Sequence, residues 1–385
     1  IQQGEAFNSD RVENIPRLLS RLKIFSSVIE PSLYLIPGTS KIIENIKTQN
    51  IPFQTLSVNR EKEIQPGGLL IKVIEGSTNT FDGVVGYLPG SVGEKGYFTG
   101  LVDVGMRNLF GTGRKLSVKW MREDKFSQEI GIRYVEPWLF DYPISVSGSF
   151  FQRQQDTTYI KRITELKSDF LITENFTFSG MFSQENIIPS SEIANQYIPS
   201  SGTTSGGVEI HYDTRDDIYN PTSGINYRSD YYIGRKKLYS PKQKLTLQRI
   251  GLDVDLFYET FSRQVTALGM HGRELRSDDI EVSDLYRFGG TNTMRGYREN
   301  QFLGSRIVWT NLEYRFLMAR HSFFFGFFDF GYYFHPTIAT SNITSSSENA
   351  KYGYGIGMRI ETGLGIIGVS FALGRGDNFS QAKLH

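Results

Sequence analysis

The chain has 385 residues, 42 basic against 41 acidic side chains for a formal net charge of +1, and no cysteine. That balance carries no nucleic-acid footprint, and the lack of thiols excludes disulfides, cysteine–zinc sites and cysteine nucleophiles. Hydrophobic residues make up 39%, aromatics 14%, and there are 39 glycines, which suits many strands with aromatic girdles better than a helical or α/β enzyme.

Residues 1–76 differ from everything that follows. Val12, Ile15, Leu19, Leu22 and Phe25 recur at helical spacing and predict one apolar helix face. Asp10 and Glu13 form a candidate capping box, and Pro16 marks a kink or a later start. Ser32–Ile36 and Leu69–Glu75 read as strands and Lys41–Lys47 as a second short helix, the pattern of a small α+β module whose first strand lies before Ile1. No signal peptide is visible, so the expectation is a processed precursor or a fragment.

From Thr78 the helical period gives way to alternation. Leu116, Val118 and Trp120 alternate with Lys115, Ser117 and Lys119; Ile250, Leu252, Val254, Leu256 and Tyr258 alternate with Gly251, Asp253 and Asp255. One apolar and one polar face suit a transmembrane barrel with a wet lumen, and several runs are long enough to cross a bilayer when tilted. No apolar run is long enough for a transmembrane helix; the nearest, Phe323 to Phe334, is short and carries Asp329. Sixteen candidate strands are centred near residues 83, 102, 118, 131, 148, 165, 179, 208, 228, 252, 267, 310, 328, 356, 369 and 383. The last is barely begun at His385, and because lipid does not tolerate an open sheet edge, the pattern predicts a chain continuing beyond it. Asp141-Tyr142-Pro143 and Thr362-Gly363 read as tight periplasmic turns, and 185–202, 234–244, 273–303 and 335–350 as long polar outer loops.

Three local patterns lie on this frame. NLFGTGR, with Asn108, Gly111 and Gly113, joins two strands. DTRDDIYNPTSG, with Asp213, Arg215, Asp216, Pro221 and Gly224, joins two more. FGGTNTMRGYREN, Phe288 to Asn300, lies in a connection of about thirty residues, far beyond a hairpin loop. We read that connection as a loop that folds back into the barrel and anchors through Arg295, against the plainer alternative of an exposed loop. The glycines and Pro221 of the other two motifs mark turns. No helix follows NLFGTGR, so anion binding does not fit, and the acids around Asp213 fit a solvated strand end with internal ion pairs better than a metal site.

In this order, around sixteen strands, the three motifs resemble the BamA/TamA superfamily of outer-membrane assembly barrels, and residues 1–76 resemble the POTRA domain, the periplasmic docking module of such barrels. The resemblance implies an all-β transmembrane fold: a 16-stranded antiparallel β-barrel over residues 77–385, its last strand incomplete, preceded by a small α+β POTRA-like domain over 1–76. It also implies that Arg295 reaches carboxylates on the next two strands, here Glu313 and Asp329. The residues agree. Asn311, Glu313 and Arg315 alternate with Leu312, Tyr314 and Phe316, which turns Glu313 inward, and Asp329 is too costly to expose to hydrocarbon. An arginine fork suits two carboxylates. Gly296 permits a turn or a close approach to the wall, and Tyr297 packs with its hydroxyl still in water.

The function implied by the resemblance is a non-energised insertase for other β-barrels. Its partners are unfolded outer-membrane β-barrel substrates, periplasmic or lipoprotein accessory subunits and the lipid bilayer, with no nucleic acid, cofactor or metal. The seam of the barrel falls on the first strand: Asn79, Phe81, Gly83, Val85, Gly86 and Tyr87. Gly83 and Gly86 weaken pairing there, so that an opened edge offers itself to an incoming strand; they equally suit a bend. The alternatives are a two-partner-secretion polypeptide transporter, a passive pore, or an enzyme whose catalytic part lies outside this sequence. Catalysis finds no motif here. The histidines form no HExxH, there is no GxSxG or Walker loop, and the glycines near 353–365 lie in a strand with no following helix.

Overall fold

The computed structural model describes residues 7–13, 15–16, 19, 24–35, 67–76, 79–88, 97–122, 124–217, 220–240, 242–319, 321–338, 345–362 and 365–384. They fall into two compact units, Ile1–Ser77 and Thr78–His385.

In the first unit, α1 (Ser9–Glu13) is capped by Asn8, whose Oδ1 accepts from the Arg11 amide at 3.1 Å. Asp10 therefore lies inside the helix and not at its cap. Ile15, Pro16 and Leu19 are also helical, but Phe25, expected on the same face, opens a strand. β1 (Phe25–Val28) pairs antiparallel with β4 (Val73–Glu75), and β2 (Ser32–Leu35) with β3 (Gly67–Leu70). The expected strand 69–75 is thus two strands broken at Ile71–Lys72. Leu22 and the helix expected over Lys41–Lys47 lie outside the described residues.

The second unit is one antiparallel sheet taken in chain order. Its first eleven strands are β5 (Asn79–Leu88), β6 (Tyr97–Leu109), β7 (Arg114–Arg122), β8 (Gln128–Glu136), β9 (Ile144–Gln155), β10 (Tyr159–Leu171), β11 (Phe176–Pro189), β12 (Ser201–Asp213), β13 (Gly224–Tyr239), β14 (Lys242–Phe261) and β15 (Gln264–Arg276). A small hairpin of β16 (Tyr286–Phe288) and β17 (Phe302–Gly304) interrupts the order. The sheet resumes with β18 (Arg306–Ala319), which pairs with β15, then β19 (Ser322–His335), β20 (Ser347–Thr362), β21 (Gly365–Gly374) and β22 (Lys383–Leu384). Each predicted strand centre falls inside one of the sixteen strands of this sheet.

The exposed face of the sheet is the apolar one. Val208, Leu252, Leu312 and Phe328 are 45%, 41%, 43% and 45% exposed, while Arg153, Glu209, Lys236 and Asp329 are buried on the other face. A soluble protein would invert this; a lipid-facing barrel requires it. The inward charges are paired, as in Arg153–Glu129 at 2.8 Å and Lys167–Glu209 at 2.7 Å. The sheet curls until β5 lies beside β21, with no ladder between them among the described residues.

The connections alternate in character. Among the described residues, one end carries 110–113, 137–143, 172–175, 214–223 and 262–263, and the other carries 156–158, 190–200 and 277–305, of which the last two are the longest. Several expectations are corrected: strands β19 and β20 trim 335–350 to 336–346, and Asp141-Tyr142-Pro143 is the end of the longer connection 137–143. Residues 234–244 form no long loop, because β13 continues to Tyr239 and β14 starts at Lys242. Segment 185–202 shrinks to 190–200 and holds α2 (Glu192–Tyr197), capped by the Ser191 hydroxyl, which accepts from the Ala194 amide at 3.1 Å.

Candidate functional site

Connection 277–305 turns into the lumen. Its hairpin β16–β17 brings Phe288, Met294 and Tyr297 against Ile307 and Trp309 of β18, with Tyr286, Phe302 and Tyr333 packed around them. This aromatic core buries the loop against the wall, so the exposed-loop alternative does not describe it. At the tip, Gly290 and Met294 exchange backbone hydrogen bonds at 3.0 and 2.9 Å, and Gly289, Gly290 and Gly296 take φ of 113°, 98° and 90°. A side chain at these positions would be strained.

Arg295 leaves this tip toward β18 and β19. Its Nε and Nη2 donate to Asp329 Oδ2 and Oδ1 at 2.8 and 2.7 Å, and its backbone amide donates to Oδ2 at 3.0 Å. Nη1 donates to Glu313 Oε1 at 2.6 Å. The other Glu313 oxygen accepts from Arg315 Nε at 2.9 Å. The guanidinium carbon stands 3.7 Å from the ring centre of Phe327. Asp329 is 0% and Arg295 7% exposed, so the pair is withdrawn from water. Burial disfavours the Arg295 charge, but the hydrogen bonds and field of Asp329, then of Glu313, hold its pKa above the ordinary arginine value.

The wall that receives the tip is built of glycine. A Cβ on Gly353 would lie 2.0 Å from the Arg295 carbonyl, one on Gly374 2.8 Å from the Gly296 carbonyl, and one on Gly331 2.2 Å from the Phe288 ring. In return, a Cβ on Gly296 would lie 2.6 Å from the Leu373 carbonyl carbon. Tyr297 closes the contact: its hydroxyl donates to the Tyr352 carbonyl and accepts from the Arg375 amide, both at 3.0 Å. The tip therefore sits in a slot spanning β19, β20 and the end of β21.

A second contact reaches another part of the wall. Asp284 forms a buried ion pair with Lys236 of β13, and the Ser283 carbonyl accepts from Lys161 of β10 at 3.1 Å. Arg287 donates to the Tyr159 hydroxyl of β10 at 3.2 Å. Strands β10 and β19 are far apart in sheet order, so the loop spans the lumen.

Residues 108–381 match the Omp85 superfamily domain. This chain belongs to the Omp85 superfamily. Two solved structures share its fold. BamA from Haemophilus ducreyi lacking POTRA domains 1-3 aligns with a TM-score of 0.54 at 14% identity, over 100% of this chain and 78% of that one. CdiB from Acinetobacter baumannii aligns with a TM-score of 0.57 at 15% identity, over 97% of this chain and 69% of that one. No curated protein sequence matches. Omp85 proteins are outer-membrane transporters and assembly factors that act on protein substrates.

Within this Omp85 barrel the sequence-predicted residues separate into three places. Arg295, Gly296, Tyr297, Glu313 and Asp329 come together in the lumen. Asn79, Phe81, Gly83, Val85, Gly86 and Tyr87 lie along β5, whose ladder to β6 runs from Asn79↔Met106 to Leu88↔Tyr97. Phe81 is 65% exposed on that strand. The turn motifs lie at the short-connection end. Asn108 Oδ1 accepts from the Gly113 amide at 2.8 Å, across a turn in which Gly111 and Gly113 have φ of 72° and 74°. Arg215 grips Asp213 with Nε and Nη2 at 2.9 and 2.8 Å. Asp216 Oδ1 accepts from the Thr222 and Ser223 amides at 2.9 and 3.1 Å, and the adjoining Pro221 is buried. Gly224, at φ 104°, faces the Thr214 carbonyl with no room for a Cβ. These acids are occupied in shaping the turn.

Sequence reasoning missed Arg315, Phe327, the slot glycines and the Lys236–Asp284 pair. The inward alternation of β18 and β19 pointed to the first two; no local pattern pointed to the others.

Proposed function

We propose that this Omp85 barrel is an outer-membrane assembly factor that inserts and folds β-barrel proteins, with β5 as the strand offered to the incoming chain. In this reading the short-connection end faces the periplasm, and residues 1–76 act there as a POTRA-like module that docks substrate and periplasmic or lipoprotein accessory subunits. The observation that carries the reading is the seating of the loop tip against Leu373, Gly374 and Arg375, at the end of the strand that lies beside β5. A clamp placed there sets how firmly the wall is held next to the seam. A passive pore gains nothing from a lumen crossed by an aromatic hairpin. Gly83 and Gly86 bring no side chain to pack on β5, and the described residues form no ladder between β5 and β21, which suits β-augmentation at this edge.

A second reading, a two-partner-secretion transporter, draws support from the fold likeness to CdiB, whose TM-score of 0.57 stands beside 0.54 for BamA. There the loop would be a plug displaced by the exported chain. The full-length protein in liposomes, challenged with a urea-unfolded outer-membrane barrel, separates the two. Under our reading the substrate reaches its heat-modifiable, protease-resistant form faster than in empty liposomes, and Arg295→Ala slows that gain. No acceleration, together with free leakage of small solutes, would replace the insertase with an exporter or pore.

A further inference from the structure

The outward face of β10–β14 carries a row of cations that the loop and the seam do not use. Arg162, Asn186, Gly202, Lys237 and Lys244 stand opposite one another across five consecutive strands. The next outward row is Thr164, Gln184, Thr204, Arg235 and Thr246. Neither row contains a carboxylate, and Arg235, Lys237 and Lys244 are exposed. Lys237 and Lys244 are direct cross-strand partners, and like charges so placed destabilise a sheet unless an anion lies between them. Lys236, one residue away, points the other way and is matched with Asp284. The inward lysine thus has its counter-ion in the protein, and the outward ones have none among the described residues.

Position along the strand identifies the missing partner. Ile233, on the same face of β13, is 49% exposed, and its row includes Phe182 at 54% and Leu166 at 53%. These belong to the apolar belt that faces lipid chains. At about 3.4 Å per residue, Arg235 stands roughly 7 Å and Lys237 roughly 14 Å beyond Ile233 along the strand. With the strand tilted by about 45°, these become roughly 5 and 10 Å of depth above Ile233, which carries the cations from the apolar belt into the headgroup layer. The Tyr239 hydroxyl lies over Gly202, 2.6 Å from where a Cβ would stand, with Asn186 Oδ1 at 3.4 Å from the same point. A hydroxyl and a carboxamide thus stand in the row between Arg162 and Lys237, and both can donate to phosphate oxygens.

We propose that Arg162, Arg235, Lys237 and Lys244, with Asn186 and Tyr239, bind the phosphorylated headgroup of a membrane lipid. The continuity of the row with the apolar belt selects a lipid over a soluble anion, because the acyl chains of the same molecule lie against Ile233, Phe182 and Leu166. On the orientation proposed above, the lipid is one of the outer leaflet.

The test is native mass spectrometry of the detergent-solubilised full-length chain with bis-phosphorylated lipid A. The wild type retains lipid A adducts, and the Arg235→Gln/Lys237→Gln/Lys244→Gln variant loses affinity by about a hundredfold for three charges at a membrane surface. Heat-modifiable migration verifies that the variant is folded. A second arm needs no substitution: fully dephosphorylated lipid A leaves no adduct on the wild type, and millimolar inorganic phosphate does not displace the phosphorylated lipid. Equal adducts on wild type and folded variant, equal adducts with the dephosphorylated lipid, or displacement by inorganic phosphate would each overturn the assignment.

Discussion

On the β18–β19 side of the lumen, Arg295 commits every guanidinium nitrogen to a carboxylate, stacks on Phe327 and seats its own backbone among glycines. On the β10–β13 side, Asp284 meets the single ammonium of Lys236, and its Oδ1 has no hydrogen-bond partner among the described residues. The same loop is thus held by a directional fork in a fitted slot at one wall, and at the other by an ammonium ion pair with two single hydrogen bonds beside it. A guanidinium fork fixes distance, angle and orientation together, whereas an ammonium fixes little beyond proximity. The first contact defines where the tip stands; the second steadies the root of the loop.

The largest effect that separates the two contacts is expected from Asp329→Ala, which leaves the buried Arg295 with Glu313 alone. The loss should be about 3 kcal/mol, the low end for breaking a buried pair, because Glu313 remains. Unfolding in denaturant, followed by heat-modifiable migration, measures it; a loss no greater than that of a surface substitution would remove the distinction. Gly296→Ala leaves all the charges in place and tests the slot itself. A positive φ and the nearby Leu373 backbone should make it cost on the order of 1–3 kcal/mol. Protease cleavage next to Arg298 should rise with it, and an unchanged cleavage rate would show that shape matters less than charge. Asp284→Asn keeps a hydrogen-bond acceptor for Lys236 but removes the counter-charge of a buried ammonium, so it should cost on the order of 2–3 kcal/mol while leaving cleavage at the tip near wild type. If it frees the tip as fully as Asp329→Ala does, the two contacts are one cooperative unit.

Much of the barrel was legible because a strand with lipid on one side and water on the other writes its period into the sequence. Leu116, Val118 and Trp120 or Leu252, Val254 and Leu256 show it without help from elsewhere, and Glu313 inherits its inward direction from Leu312 and Tyr314. The tip of the β13–β14 hairpin was illegible for the same reason. Arg235, Lys236 and Lys237 are all charged, so the alternation of faces leaves no contrast, and what buries Lys236 is Asp284 in a distant loop. Phe25 continued a helical spacing, but its pairing with Glu75 places it in a sheet. Gly331, Gly353 and Gly374 read as ordinary strand glycines, since the backbone that needs their vacant space belongs to another segment. Local periodicity reports local surroundings; a contact made across the lumen leaves no such trace.

The slot also bears on the order in which the barrel forms. Its three walls, Gly331, Gly353 and Gly374, all follow Arg295 in the chain and come from three successive strands. The tip has nowhere to settle until β19, β20 and β21 have aligned with one another, and contacts of such sequence separation form late because their chain closure must come first. Seating of the loop is therefore a late step of this protein's own maturation, one that registers the completion of the C-terminal wall.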